Sequence, residues 1–362
     1  MKKIMAAFAV LSTALALTGC GGKPKIPADT VAAAYVDLET SVDNLVDVIE
    51  CVIDELPKEM RKDAEKDFKE FKKEHGKDIK NFGAEWLVVT VGKGKYGPEI
   101  AAVLKCDLDG KIPSFDNKKV RDLLPFDEVG EERGCKLYRV MGLPVPLSKA
   151  ALVKDDYIIL ADSEDRLKSL IALYKDGKGE TSDDFDDLCD IGGDTIARIQ
   201  TAKVETLLKI AGEEDSLDKF GEACGDKKLA EMIKDIENVT LDINLSDDIF
   251  GSVLTVDAGS KEFAKVVESA FNILAFSNRV FIDMLHNDGA RRALVFATRK
   301  IPGAGELFRE FANDDNAVEA FKASAELLRE AAEVDRSGST VKYTVEIDTE
   351  DFLEKVVPVL CK

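Results

Sequence analysis

The hydrophobic pattern alternates between two kinds of segment. Short, densely apolar runs typical of strands alternate with longer segments in which apolar residues recur every three or four positions, as in amphipathic helices. The strand-like segments are 32–38, 85–91, 99–108, 136–141, a hairpin over 150–160, and a later pair at 238–245 and 249–257. The helical segments are 40–56, 58–76, 118–124, 261–285 and 306–332. Strands come mostly in pairs with helices between the pairs, so we expect an α+β fold of mostly antiparallel sheets covered by amphipathic helices.

Similar short sequences recur in the two parts of the chain. Asp29-Thr30-Val31-Ala32 matches Asp194-Thr195-Ile196-Ala197, and each opens a strand that leads into a helix. Asp162 and Asp348 each leave a strand and open a helix with an acid three residues later, which predicts an N-cap at both. These echoes favour two related halves, although strand–turn–helix units also resemble one another for purely physical reasons.

The predicted organisation has five parts. Residues 1–19 form a signal peptide, 20–28 a lipidated cysteine with a flexible spacer, 29–180 a first α+β half, 181–193 an acidic linker and 194–362 a second α+β half. The linker is assigned from its run of aspartates and its terminal Gly192-Gly193. Its aspartates lack the spacing and glycine turn of a calcium loop, so we interpret them as a solvated linker.

The helix over 261–285 is apolar on most of its circumference. Such breadth indicates burial against both a sheet and another helix, or the lining of an apolar cavity. Phe271, Leu274, Phe276 and Phe281 are the candidate lining residues for an apolar ligand. Its charged residues exclude a bilayer span.

The amino terminus has the layout of an export signal. Lys2 and Lys3 precede a short apolar stretch, which is too short to span a bilayer comfortably. The next residues, Leu17-Thr18-Gly19-Cys20, resemble the lipobox of bacterial lipoproteins. This resemblance implies recognition of Leu17, Thr18 and Gly19 by a signal peptidase and acylation of Cys20, whose several chains suffice for stable membrane anchoring.

The same resemblance implies a cellular location. Gly21, in place of an aspartate after the cysteine, favours the outer membrane in a host that has one, with the protein facing the periplasm or the cell surface. Beyond the lipobox, the chain resembles bacterial lipoproteins of unknown function with tandem strand–helix repeats. That likeness implies a location and a fold class, not an activity.

Composition restricts the partners. The chain carries 50 basic and 70 acidic residues, and removal of the signal peptide leaves 48 basic residues. Nucleic acid and anionic surfaces repel a strongly negative protein, so both are disfavoured as partners. We expect the membrane to be a partner through the lipid on Cys20, together with a protein or an apolar ligand.

No catalytic motif emerges. Gly92, Gly94 and Gly97 fit the dinucleotide-binding pattern, but Pro98 and a strand follow where that site needs a helix, so a hairpin is predicted. The two histidines, His75 and His286, are placed at helix ends and lack the spacing of a metal pair. No cofactor or metal is expected.

The cysteines leave the redox state open. Cys51, Cys106, Cys135, Cys189, Cys224 and Cys361 permit disulfides in an exported protein, but their wide spacing fits buried free thiols equally well. The function that fits these features is an envelope-anchored, non-enzymatic binding or scaffold protein. The alternatives are a periplasmic carrier of a hydrophobic ligand and, third, a carboxylate-dependent hydrolase.

Overall fold

The computed structural model describes residues 23–56, 58–82, 84–94, 97–106, 126–140, 147–153, 156–211, 219, 227–285, 323, 326–327 and 330–356. The chain divides into two compact units. The first comprises Met1–Asp43 and Phe71–Asp242, and the second comprises Asn44–Glu70 and Ile243–Lys362.

Helices and strands alternate much as the hydrophobic pattern predicts. The described strands are β1 (Thr30–Asp37), β2 (Ala84–Lys93), β3 (Pro98–Cys106), β4 (Phe126–Glu132), β5 (Cys135–Val140), β6 (Lys149–Val153), β7 (Tyr157–Ala161), β8 (Thr195–Thr201), β9 (Asn238–Leu245), β10 (Ile249–Asp257), β11 (Ala332–Ser337) and β12 (Thr340–Asp348). The described helices are α1 (Leu38–Glu55), α2 (Lys58–Phe82), α3 (Glu164–Asp176), α4 (Val204–Ala211), α5 (Lys227–Lys234), α6 (Lys261–Leu285) and α7 (Thr349–Lys355). The α+β prediction with antiparallel strand pairing is confirmed.

The first unit is built on an antiparallel sheet in the order β8-β1-β2-β3-β7-β6-β5-β4. Alternate residues of its central strands point to one face, where Tyr35, Val88, Val103 and Ile159 are buried. Helix α3 contacts β3, β6 and β7, and its leucines complete this core. At the far end of the order, β4 pairs with β5 across a bulge between Glu128 and Gly130.

Charged groups in this core are paired with one another. Lys105 Nζ lies 3.6 Å from Glu85 Oε1 and 5.1 Å from the centre of the Tyr157 ring. Neighbouring rings stack at an angle from Tyr35 to Trp86, and from there to Tyr157 and Tyr174. The polar groups therefore lie inside an aromatic layer of the core.

In the second unit the strand order is β11-β12-β10, followed by residues 243–245 of β9. Helix α6 contacts β11 and β12, and α7 contacts β12. Strand β10 passes close to β12 at Gly251, where an added Cβ would collide with the Val345 carbonyl oxygen. A glycine is required at this position because the backbones approach too closely for a side chain.

The order of elements repeats along the chain. A strand, two helices and a strand pair occur as β1-α1-α2-β2-β3 and again as β8-α4-α5-β9-β10. A strand leading directly into a capped helix follows in each case, as β7-α3 and as β12-α7. The division into halves at 181–193 remains a prediction.

Two predicted helix ends need correction. Asp348 caps α7 as predicted, but the N-cap of α3 is Ser163, while Asp162 Oδ2 accepts a bond from the backbone N–H of Ile100. Helix α2 continues beyond Gly76 to Phe82 and contains His75, because one glycine costs a helix only about 1 kcal/mol and does not end it alone.

The segment 181–193 is packed instead of forming a solvated linker. Phe185 and Leu188 are buried in the core of the first unit, while aspartates between them are exposed. The prediction of a solvated linker rested on the many aspartates and did not weigh the apolar Phe185 and Leu188 between them.

Candidate functional site

The structure places only part of the predicted site residues. Leu17, Thr18, Gly19 and Cys20 lie outside the described residues. Phe276 and Phe281 belong to α6, but their side chains are outside the description, as are the predicted segments 118–124 and most of 306–332. Two regions that are described carry the functional argument: the outer face of α6 and the segment that follows the predicted lipidation site.

Over residues 261–275, whose side chains the structure describes, helix α6 is buried on one side and exposed on another. Phe263, Ala264 and Ala275 are buried, and the Phe271 ring lies 5.7 Å from the Tyr343 ring on β12, centre to centre. The sequence predicted either burial on most sides of this helix or the lining of an apolar cavity. Burial on most sides is wrong for the described part, and the cavity lining stays a prediction. The hydrophobic pattern specifies which residues are apolar but not how many neighbours surround the helix.

The opposite side forms an exposed apolar face. Val266, Ile273 and Leu274 are 45%, 66% and 43% exposed, and Ala270 between them is also exposed. Ala270, Ile273 and Leu274 follow Val266 by four, seven and eight residues, a spacing that places all four residues on one stripe of the helix. We call these four residues the α6 apolar face.

Charged residues of both signs lie beside this face. Between Phe263 and Ala275 the single carboxylate, Glu268, is half-buried and bonded to Arg336 at 2.7 Å. Lys265 is the exposed charged residue in this part of the helix. Glu262, which is also exposed, precedes Val266 by four residues and borders the same stripe, so the described charges beside the apolar face are of both signs.

The segment after the predicted lipidation site is fixed to the first unit. Residues 23–29, here called the strap, run beside residues 180–182. The Ala28 N–H donates to the Glu180 carbonyl at 3.0 Å, and the Ser182 N–H donates to the Ile26 carbonyl at 2.9 Å. Ile26 and Pro27 are buried. Residues 23–28, predicted as part of a flexible spacer, are instead docked.

Tyr174 of α3 clamps the middle of the strap. Its hydroxyl accepts a bond from the Lys25 N–H at 3.1 Å and donates one to the Lys25 carbonyl at 3.0 Å. The Lys25 Nζ lies 3.4 Å from the Leu173 carbonyl in the last turn of α3, where a cation is favourable. Burial raises the pKa of Tyr174 well above its usual value, so the hydroxyl keeps the proton that it donates.

A buried arginine holds the other end of the strap. Arg166 Nη1 lies 2.6 Å from Asp29 Oδ1 and 2.8 Å from Asp29 Oδ2, and Nη2 lies 3.4 Å from Thr90 Oγ1. Gly92 makes room for this guanidinium, because a Cβ there would lie 2.7 Å from Nη2. Asp29, the first residue of the sequence echo, thus ties the strap to α3.

Side chains of β8 fix the neighbouring acidic segment. Arg198 binds Asp242 through Nε at 2.6 Å and Nη2 at 3.1 Å, and its Nη1 donates to the Asp187 carbonyl at 2.9 Å. The hydrogen bond to Asp242 raises the pKa of Arg198 further. Gln200 Nε2 donates to the Asp184 carbonyl at 2.7 Å. Within the described residues, no three acids, histidines or cysteines are grouped to hold a metal ion.

The cysteines whose side chains are described are free thiols. Cys135 is buried, and Cys51 and Cys189 are half-buried. Burial raises the pKa of Cys51 and Cys189. The side chains of Cys106, Cys224 and Cys361 are not among those that the structure describes.

Sequence reasoning missed the strap because its contacts are distant in the chain. The Lys25–Tyr174 bonds join residues 149 positions apart. One local signal was present: Ile26 is a large apolar residue between two prolines in an otherwise polar stretch.

None of the helices in the described part of the chain has the length and apolar character needed to cross a membrane. No protein-family model matches the sequence, and no curated protein matches it. Among solved structures, the chain is similar to crystal form III of TP0453, with 9% identity, a TM-score of 0.38, and coverage of 93% of this chain and 99% of that chain. Crystal form IV gives 8% identity, a TM-score of 0.38 and coverage of 94% and 98%. A likeness at this level of identity and superposition does not extend to function.

Proposed function

We propose that the protein is an envelope-anchored lipoprotein that acts as a non-enzymatic binding protein. Acylated Cys20 is its anchor, and the α6 apolar face is its binding surface. The observation that carries the proposal is the exposure of Ile273 and Leu274 on a helix whose other side is packed. Large apolar side chains grouped on a surface mark a place where another molecule binds.

The partner that fits is an apolar surface on another envelope protein. A stripe of side chains at helical spacing packs well into a complementary groove or against a second helix. Exposed Glu262 and Lys265 both lie near the face, so apolar contact and not local charge is expected to select the partner. The surface is small, so the interaction is expected to be transient.

This geometry gives less support to the alternative function, in which the protein carries a hydrophobic ligand. A carrier encloses most of its ligand in a concave pocket. Leu274, one of the predicted lining residues, is 43% exposed on the outer side of α6. A stripe on the outside of a helix offers a ligand one wall only.

A photo-crosslinking residue at position 273, introduced into the full-length protein in intact envelopes, tests the binding surface. We expect a discrete protein adduct that is lost when Leu274→Glu is added. The matched control is Val129→Glu, since Val129 is also exposed, at 50%, but lies on β4. An adduct of lipid mass would support the carrier function instead. The absence of any adduct would refute the proposed surface.

The anchor is tested separately. Mass spectrometry of the mature protein is expected to show an acylated amino-terminal cysteine. A Cys20→Ala variant is expected to lose processing and the lipid-dependent association with the membrane fraction. Normal processing and membrane retention of that variant would show that the anchor assignment is wrong.

A further inference from the structure

The strap leaves almost no slack between the predicted lipid and the folded protein. If residues 20–28 were free, they would extend up to about 25–30 Å. With residue 23 onward docked, Cys20 is joined to Lys23 by three peptide bonds, which span at most about 10 Å. The acyl chains and the first unit are therefore closely coupled.

We propose that the strap presses one surface of the first unit onto the phospholipid headgroups of the bilayer that holds Cys20. The surface is formed by Lys23, Lys25 and residues 177–180. The proposal rests on the lipid anchor proposed above and adds to it an orientation and a contact surface.

The chemistry of this surface suits headgroups. Lys23, Lys25 and Lys178 are exposed, and a Cβ on Gly177 would lie 4.0 Å from Lys25 Nζ, so two of these lysines are near the end of α3. Lysine side chains at a bilayer surface are attracted to lipid phosphates. Lys23 already bonds Asp190 at 2.6 Å and Glu180 is exposed, so the surface is of mixed charge and the tether sets the contact.

Docking of the strap has several independent supports. A buried isoleucine, backbone bonds to residues 180–182, the Tyr174 hydroxyl and the Arg166–Asp29 ion pair all act on a stretch of seven residues. Loss of one support leaves the others, so the strap is expected to loosen gradually under mutation.

The test uses Trp86, the single tryptophan, which is buried in the first unit. The full mature lipoprotein is reconstituted into phosphatidylcholine–phosphatidylglycerol vesicles containing a dansyl-labelled lipid, and energy transfer from Trp86 to the dansyl group is measured. An insertion of about eight Gly/Ser residues between Gly22 and Lys23 lengthens the tether without touching the fold and is expected to lower transfer by about half or more. Unchanged transfer after this insertion would overturn the proposal.

Hydrogen exchange in the same vesicles tests docking directly. Tyr174→Phe removes the hydroxyl that clamps Lys25, and the amide of Ala28, whose own partner is untouched, is expected to exchange about fivefold faster. Tyr157→Phe is the matched control, because the Tyr157 ring lies 5.0 Å from that of Tyr174, centre to centre, and among the described residues its hydroxyl makes no hydrogen bond to the strap. An unprotected Ala28 amide in the unaltered protein would overturn docking.

Failure of the anchor gives a different result. A mature protein without acyl mass, remaining in solution when the vesicles are sedimented, would show no energy transfer while Ala28 stayed protected. That combination would refute the lipid anchor and with it the membrane contact, but not the docked strap.

Discussion

Gly251 is the residue at which the fold tolerates least change. An alanine Cβ there would meet the backbone oxygen of Val345, which cannot move without separating β10 from β12. We expect Gly251→Ala to lower the free energy of unfolding by about 2–3 kcal/mol, as overpacking does in a well-packed interior. Urea denaturation measures it.

The control for that substitution is another strand glycine. Gly130 on β4 has nothing within 4 Å of an added Cβ, so Gly130→Ala is expected to be nearly neutral. Equal losses in the two variants would show that strand backbone preference, not the close approach, accounts for the effect.

Tyr35 is expected to make stability depend on pH in the alkaline range. Burial raises the pKa of Tyr35 well above the usual value of 10.0. In the unfolded chain the phenol ionises near pH 10, so its contribution is fully present below about pH 10 and is lost as pH rises toward the folded pKa. The expected loss is about 1.4 kcal/mol per pH unit for one such tyrosine.

Urea denaturation between about pH 8 and about pH 11 measures this slope. Tyr35→Phe removes the ionising group and is expected to show a shallower fall above pH 10. The same slope in both proteins would mean that other groups govern the alkaline transition.

Single residues were predictable where the signal is local. The Asp348 cap follows from a strand ending, an aspartate and an acid three residues later, all within one turn of chain. The same reasoning placed the α3 cap one residue early, since Asp162 and Ser163 are both good caps and the choice depends on the bond from Ile100 on another strand. Contacts such as Lys25–Tyr174 have no local signal.

At the scale of an element, the cap of α3 is a direct test. Ser163 Oγ accepts the Arg166 N–H at 3.1 Å. We expect Ser163→Ala to cost about 1 kcal/mol of unfolding free energy, because a helix end then loses its acceptor. Ser163→Asn, which retains an acceptor, is the control and should restore most of the loss, as measured by thermal and urea denaturation.

Elements were easier to predict than their surroundings. Helix α6 spans the predicted residues, and the hairpin at Gly92–Gly97 forms between β2 and β3, with the Gly94 N–H bonded to the Gly97 carbonyl at 2.9 Å. Periodicity and turn residues encode both. Whether Ile273 faces a neighbour or water depends on what packs there, which periodicity does not encode.

At the scale of the whole molecule, charge is expected to oppose folding. The chain has a formal net charge of −20, and a compact state with that charge repels itself. Raising NaCl from about 0.01 M to about 0.15 M shortens the screening length from about 30 Å to about 8 Å. We therefore expect the thermal midpoint to rise with salt at neutral pH.

The control is the same titration near the isoelectric point. The sequence pI is about 4.7, where net repulsion is absent. Salt is expected to have little effect on the midpoint there. A similar rise at both pH values would indicate a general salt effect in place of charge screening.

Each unit's described strand order ends in a strand rich in charge, β4 in the first unit and β11 in the second. Strand β4 contains Asp127, Glu128, Glu131 and Glu132 and is bent by its bulge, and β11 exposes Glu333 and Asp335. Unpaired strand edges invite a neighbouring chain to add a strand, and charges and bulges prevent it. Molecules tethered by lipid, as proposed above, meet their own copies far more often than molecules diffusing in three dimensions. An acidic edge strand in each unit would let such a protein crowd on a membrane without polymerising.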